Sequence, residues 1–319
     1  MSTQRDLHLP VLVGVDGTSH ASRALEWAAA ESSLRGNPLV VLCAYSLDYP
    51  AARSAGPGEP PASQPLSALR AAAEHTCAQA VAQVLLKHPT LAVTGVAAPG
   101  DPGSTLVDES TRAGLVVVGA RGLGRVRGML LGSVSSYLVP RSHSPVVVVR
   151  ETPSRSLDDL RVVVGVDGSA YSAPALRFAF ESADRQGAGL TVVHTWDLDV
   201  DATAAALTWA VDWTQAEVQE RSVLAEAVAG FAEEFPTVDV RRHAVRSHHP
   251  VGELVRQSEN ARLLVLGTRG RGSVKGAILG SVSQGVLHDA HCPVAVVPTP
   301  HEPSAERPGT QRGVSVGAG

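Results

Sequence analysis

The sequence predicts an α/β protein of two tandem domains, each a five-stranded parallel sheet with helices on both faces. Three observations carry this. First, the chain repeats itself. Val13-Gly14-Val15-Asp16-Gly17-Thr18 returns as Val164-Gly165-Val166-Asp167-Gly168-Ser169, an offset of 151, and the stretch from Gly119 to Ser135 returns from Gly267 to Ser283, an offset of 148. Two long matches in one order at nearly one spacing mean a duplicated unit of about 140–150 residues, far beyond a solenoid period. Second, strand-length apolar runs alternate with helical periods in each copy, the pattern of βαβ units. Third, the strands are continuous apolar runs, as in a sheet covered on both faces.

In the first copy, Val11–Asp16 reads as a strand and Ser19–Arg35 as a helix, with Ala21, Ala24, Leu25 and Ala28 on one face. Leu39–Tyr45 is a second strand, Leu66–Lys87 a long alanine-rich helix and Leu91–Ala97 a third strand. A short helix at Thr105–Arg112, a strand at Leu115–Val118, a helix at Ser133–Arg141 and a strand at Val146–Val149 complete the unit. The second copy reads in the same order: Arg161–Asp167, Ser172–Gly187, Leu190–Trp196, Thr214–Phe235, Val238–Val245, Gly252–Asn260, Leu263–Leu266, Val282–Asp289 and Val294–Val297. These bound one domain at 8–151 and a second at 159–298. The proline-rich stretch Ser46–Pro65 reads as a loop, Thr152–Asp159 as a linker, and residues 299–319 as a disordered tail rich in Pro, Gly and Ser.

With 319 residues, 44% hydrophobic and 18% charged, the chain has apolar material for two full cores. A net charge of −4 argues against bulk nucleic-acid binding, which wants a basic face. Cys43, Cys77 and Cys292 form no CxxC, so neither a disulfide framework nor a zinc ribbon is expected, and a reducing cytoplasm fits. No apolar run precedes Val11 and none approaches membrane-span length, so neither a signal peptide nor membrane insertion is expected.

The sharpest motif is Gly119-x2-Gly122-x9-Gly132-Ser133, found again as Gly267-x2-Gly270-x9-Gly280-Ser281. In both copies it leaves the fourth strand and enters the fourth helix. Glycines let backbone approach a ligand, and free N–H groups at a helix start favour an anion. Ser133, Ser135, Ser281 and Ser283 add hydroxyls, so the pattern suits phosphate without a lysine. A glycine loop with a serine cap would read the same way with no ligand. Asp16 and Asp167 end the first strands. They suit a turn, or an acceptor for ribose hydroxyls facing the glycine loop at a topological switch point. Arg121 and Arg269 lie inside the loops within reach of phosphate, followed by Arg125, Arg127, Arg271 and Lys275.

On these motifs the chain resembles a tandem universal stress protein with two domains of the ATP-binding type, over nearly all of residues 8–298. The resemblance implies Rossmann-like domains of strand order 3-2-1-4-5 with ATP between the first and fourth strands. It implies that Asp16 and Asp167 contact ribose. Gly119, Gly122, Gly132, Ser133, Val134 and Ser135 would hold ribose and phosphates, as would Gly267, Gly270, Gly280, Ser281, Val282 and Ser283. Val41 and Val192 would lie against adenine, and Gly14 and Gly165 are counted with the two sites. Any Mg2+ would be held by the phosphates, and no metal-ligating or catalytic residue is assigned.

The copies differ. Gly100-Asp101-Pro102 has no counterpart in His248-His249-Pro250, and Tyr45 is replaced by Trp196. His143 and His291 recur in matched positions and read as structural turns. There is no Walker A sequence and no nucleophile elbow. Three functions remain open: a nucleotide-binding regulator of stress response or growth, a slow ATPase or phosphotransferase, and a scaffold that works through protein partners without nucleotide. The fifth strands, Pro145–Val149 and Pro293–Val297, would be sheet edges too apolar for solvent. They are expected to pair with each other, making an intramolecular pseudo-twofold dimer. A homodimer of whole chains stays open beside this, with no particular residue to support it.

Overall fold

A computed structural model describes residues 9–46, 65–120, 131–150, 160–196, 213–270 and 279–299. The expected linker, the tail beyond 299, all but the ends of the Ser46–Pro65 loop, and Arg121, Gly122, Arg125, Arg127, Arg271 and Lys275 lie outside the described residues.

The first half runs β1 (Val11–Gly14), α1 (Ser19–Arg35), β2 (Leu39–Tyr45), α2 (Leu66–Lys87), β3 (Val93–Pro99), α3 (Pro102–Ser110), β4 (Leu115–Gly119), α4 (Ser133–Leu138) and β5 (Val146–Val149). The second runs β6 (Arg161–Val166), α5 (Ala173–Arg185), β7 (Leu190–Trp196), α6 (Trp213–Glu234), β8 (Val240–Arg246), α7 (Pro250–Ser258), β9 (Ala261–Gly267), α8 (Ser281–Asp289) and β10 (Val294–Val297). A single 3-10 turn at Ala170–Ser172 leads into α5. Among the described residues no helix is long and apolar enough to cross a membrane.

Local chemistry sets the helix ends. Thr18 caps α1 by accepting from Ala21 N at 3.3 Å, and Gly36 closes it in the left-handed region at φ 67. Asp101 caps α3 by accepting from Ser104 N at 3.1 Å, with Pro102 at the first helical position. That cap moves the helix three residues earlier than its apolar period indicates. Its counterpart α7 starts after His249, which makes no side-chain cap bond.

Both halves take the order 3-2-1-4-5, and the ten strands form one sheet: β3-β2-β1-β4-β5-β10-β9-β6-β7-β8. Every pairing is parallel except the junction, where β5 and β10 run antiparallel with Val148 opposite Val294, Val147 opposite Ala295 and Val146 opposite Val296. Alternate side chains go to opposite faces. Val11 and Val13 pack beneath α1 and α2, whereas Leu12 packs beneath α3 and α4. The second half divides in the same way, with α5 and α6 on the first face and α7 and α8 on the second.

Side chains also cross the junction. Arg150 donates to the carbonyls of Leu287, His288 (2.7 Å) and Ala290 (3.3 Å), at the carboxyl end of α8. Glu31 of α1, only 3% exposed, meets Arg35 at 2.7 Å and, across the junction, Arg185 at 3.5 Å and Gln186 Nε2 at 3.3 Å. Arg35 also lies over the Phe178 ring of α5, 5.5 Å from its centre. Burial and the positive charge of Arg35 hold the Arg185 guanidinium below its usual range.

Candidate functional site

In each half the first and fourth strands are neighbours, and the chain leaves their carboxyl ends in opposite directions. A crevice opens at such a switch point because no crossover covers it. Strand β1 ends at Gly14 and β6 at Val166, a residue or two before the expected ends, so Asp16 and Asp167 stand in the turns that follow.

The two aspartates are built into those turns. Asp16 Oδ1 accepts from Thr18 N at 3.0 Å and Thr18 Oγ1 at 2.6 Å. Asp167 Oδ1 accepts from Ser169 N at 3.0 Å, Ser169 Oγ at 2.7 Å and Ser172 Oγ at 2.7 Å. The turns need the left-handed φ of Gly17 (77°) and Gly168 (75°), which only glycine adopts without strain. Ser172, which donates to Asp167, stands where the first half has Ala21.

The glycine loop of the second half reaches the same place. A Cβ added to Gly270 would lie 2.8 Å from Asp167 Oδ2, so the loop and the turn touch across the crevice. Arg269 and Gly270 are both half-buried there. The loop returns at Gly280, whose N–H donates to the Thr268 carbonyl at 2.8 Å, and Gly132 does the same to Ala120 at 2.7 Å. Gly132 and Gly280, not the serines, occupy the cap positions of α4 and α8.

The four serines divide into two kinds. Ser133 and Ser281 are exposed at the first helical positions, and Val134 and Val282 beside them are half-buried. Ser135 and Ser283 are buried and donate to the carbonyls of Gly119 (2.8 Å) and Gly267 (2.7 Å). They lock the helix start to the strand end, so their hydroxyls face inward rather than toward a ligand.

Two further expectations change. Val41 and Val192 are fully buried in the core in mid-strand, not at the crevice rim. Gly14 and Gly165 serve packing: an added Cβ would meet Leu106 at 3.0 Å in the first and Leu266 at 2.7 Å in the second. Asp101 is engaged as the α3 cap. His143 and His291 do sit in matched turns, their N–H groups donating to Ser110 and Ser258, each at 2.9 Å.

The crevice wall that the sequence did not reveal is main chain. Peptide groups alternate sides along a parallel strand. Leu42 faces β1, accepting from Val15 N at 2.9 Å, and Tyr45 faces β3, accepting from Gly100 N at 2.9 Å. Ala44 therefore turns its main-chain groups to the β1 side, past the end of β1. Trp196 accepts from Ser247 N at 3.0 Å on the β8 side, so Thr195 faces the second crevice in the same way. The register Gly14 to Leu42 and Gly165 to Val193 is the signal that places both.

A profile of the universal stress protein family matches residues 9–150 and again 160–298. A universal stress protein of Mycobacterium tuberculosis strain H37Rv is 37% identical over 303 residues, covering 90% of this chain and 96% of its own. One from Mycolicibacterium smegmatis is 36% identical over 295 residues, covering 90% and 96%. Among solved structures, a universal stress protein from Archaeoglobus fulgidus aligns with a TM-score of 0.66 at 22% identity, covering 93% of this chain and all of that one. That likeness supports the fold.

Proposed function

The chain belongs to the universal stress protein family, and from that premise we propose that each half binds one adenine nucleotide, ATP, in its own crevice. The observation that carries the reading is the contact between Gly270 and Asp167. A carboxylate that suits ribose hydroxyls and a glycine that clears the way for phosphate meet at one switch point. The main chain of Thr195 supplies a donor and an acceptor at the rim for the base edge. The first half repeats the aspartate, the closing Gly132 turn and the open main chain of Ala44.

ATP acts here as a ligand that favours one conformation or assembly. Neither glycine loop ends in the Gly-Lys-[Ser/Thr] of a P-loop, and the carboxylates of Asp16 and Asp167 are each engaged by hydroxyl and backbone donors of their own turns. Arg269 supplies positive charge beside the phosphates, which themselves hold any Mg2+. The two halves work as a pseudo-twofold pair within one chain, a reading supported by the β5–β10 pairing and by Arg150 and Glu31 across it.

The test is titration of the purified chain with ATP in a calorimeter, with mass spectrometry of nucleotide carried through purification. Two sites per chain is the expected result. Folded protein that takes up no nucleotide would leave the scaffold function in its place.

A further inference from the structure

Cys43 and Cys77 are buried together under the first half of the sheet's first face. Cys43 is the fifth residue of β2, one before Ala44 at the crevice. Cys77 lies in the narrow buried stripe of α2, with Ala73, Ala80 and Val84. Its sulfur reaches between the strands, donating to the Val41 carbonyl oxygen at 3.8 Å and to that of Val96 at 3.4 Å, and Val41 lies two residues before Cys43 on the same face of β2. Gly95 of β3 makes this descent possible, because an added Cβ there would stand 3.1 Å from Cys77 Cβ.

The second half has no such pair. His194 occupies the Cys43 position and Leu224 the Cys77 position, and Arg242 stands where Gly95 opens the edge. His194 is instead bonded to the Val166 carbonyl at 2.9 Å and to Glu220 at 3.0 Å.

We propose that Cys43 and Cys77 are a redox couple, which hydrogen peroxide closes to a disulfide that pins α2 to β2 beside the first crevice. The neighbouring Cys43 thiol holds the Cys77 thiol down, at about 7, against the opposing effect of burial, and the proximity of Cys77 with burial pushes the Cys43 thiol up. Cys77 is therefore the attacking thiolate and Cys43 the resolving thiol. The Cys77 sulfur breaks the peroxide O–O bond, giving a sulfenic acid and one water. The Cys43 sulfur then attacks the Cys77 sulfur, the S–O bond breaks, and a second water leaves with the Cys43 proton. Two electrons pass from the sulfurs to the peroxide oxygens, and a low-molecular-weight thiol reverses the step by exchange. Peroxide reaches the pair through local opening of α2, whose N-cap position holds Pro65, with no side-chain cap bond, and whose remaining faces are largely exposed. The couple does not depend on nucleotide.

The full-length reduced chain is treated with a modest excess of hydrogen peroxide, unfolded, alkylated and weighed. One alkyl group is expected, on Cys292, which is wholly buried and whose thiol burial pushes up to about 12. A peptide map should join the Cys43 and Cys77 peptides within one chain. Three alkylated thiols, sulfinic acid at Cys77, or a disulfide between chains would overturn the proposal. In Cys43→Ala, the Cys77 sulfenic acid should persist and be trapped by dimedone; trapping only at Cys43 in Cys77→Ala would reverse the roles and sink the assignment. Amide hydrogen exchange across α2 should slow by about tenfold in the oxidised wild type, with α6 unchanged. Equal exchange in both redox states would refute the pinning even if the disulfide forms.

Discussion

Val147 and Ala295 stand opposite one another in the antiparallel pair that joins the two halves of the sheet. Each is wholly buried, so the two inner edges that would otherwise invite foreign strands are covered by each other. Directly opposed side chains in such a pair lie close enough for a covalent link. The double variant Val147→Cys/Ala295→Cys should oxidise to a disulfide within one chain, seen as a shifted monomer band on a non-reducing gel. Crosslinked dimers with no intrachain product would show that the strands pair between chains.

The Gly270–Asp167 contact makes the second crevice sensitive to a single methyl. Gly270→Ala places a Cβ against Asp167 Oδ2 and should weaken nucleotide at that site while the first keeps its affinity. Asp167→Ala, which removes a charged hydrogen-bond acceptor, should cost about 1–3 kcal/mol of binding at the same site. Calorimetry resolving two classes of site measures both. Unchanged dissociation constants in the two variants would remove the ribose and phosphate assignments.

The serines predict a separation of stability from binding. Ser283→Ala breaks the bond to the Gly267 carbonyl and should destabilise the chain by about 1 kcal/mol, with little effect on nucleotide. Ser281→Ala, at an exposed hydroxyl beside the loop, should weaken nucleotide and leave the urea midpoint in place. The opposite pattern would show that the buried hydroxyl serves the ligand.

Glu31 is the carboxylate that Arg35 and Arg185 share at the junction. Glu31→Ala leaves two guanidinium groups facing each other in a largely buried place and should cost about 3 kcal/mol. A thermal melt should show the loss. Glu31→Gln, which keeps the shape and one acceptor, should fall between the variant and wild type. A melt unchanged in Glu31→Ala would mean that the cluster contributes nothing to holding the halves.

Much of this architecture was legible because long-period repetition and apolar runs are strong signals. The centres of the strands and helices fall where the sequence places them. Their ends depend on single polar residues: Asp101 and Pro102 start α3 before its apolar period begins. Asp16 and Asp167 stand in the turns just past the first strands, as their places after the apolar runs indicated. The wall of the crevice was not, because a run such as Leu39–Tyr45 carries no internal mark of which peptide faces which neighbour. Only the pairing of Gly14 with Leu42 moves the rim from Val41 to Ala44. Ser135 and Ser283 misled for a related reason, since a hydroxyl two residues into a helix can turn outward to a phosphate or back to a carbonyl.

The reversal of strand direction between β5 and β10 points the carboxyl ends of the two halves toward opposite rims of one continuous sheet. The mouths of the two crevices therefore open on opposite sides of the molecule. Four strand spacings separate them laterally, about 19 Å, before the length of the strands is added. Two bound nucleotides could neither touch nor exchange a phosphate, and one small partner could not cover both mouths at once. Any message from one mouth to the other has to travel as mechanical displacement through the valine-lined seam. That makes the seam the natural place to look for cooperativity, or for its deliberate absence.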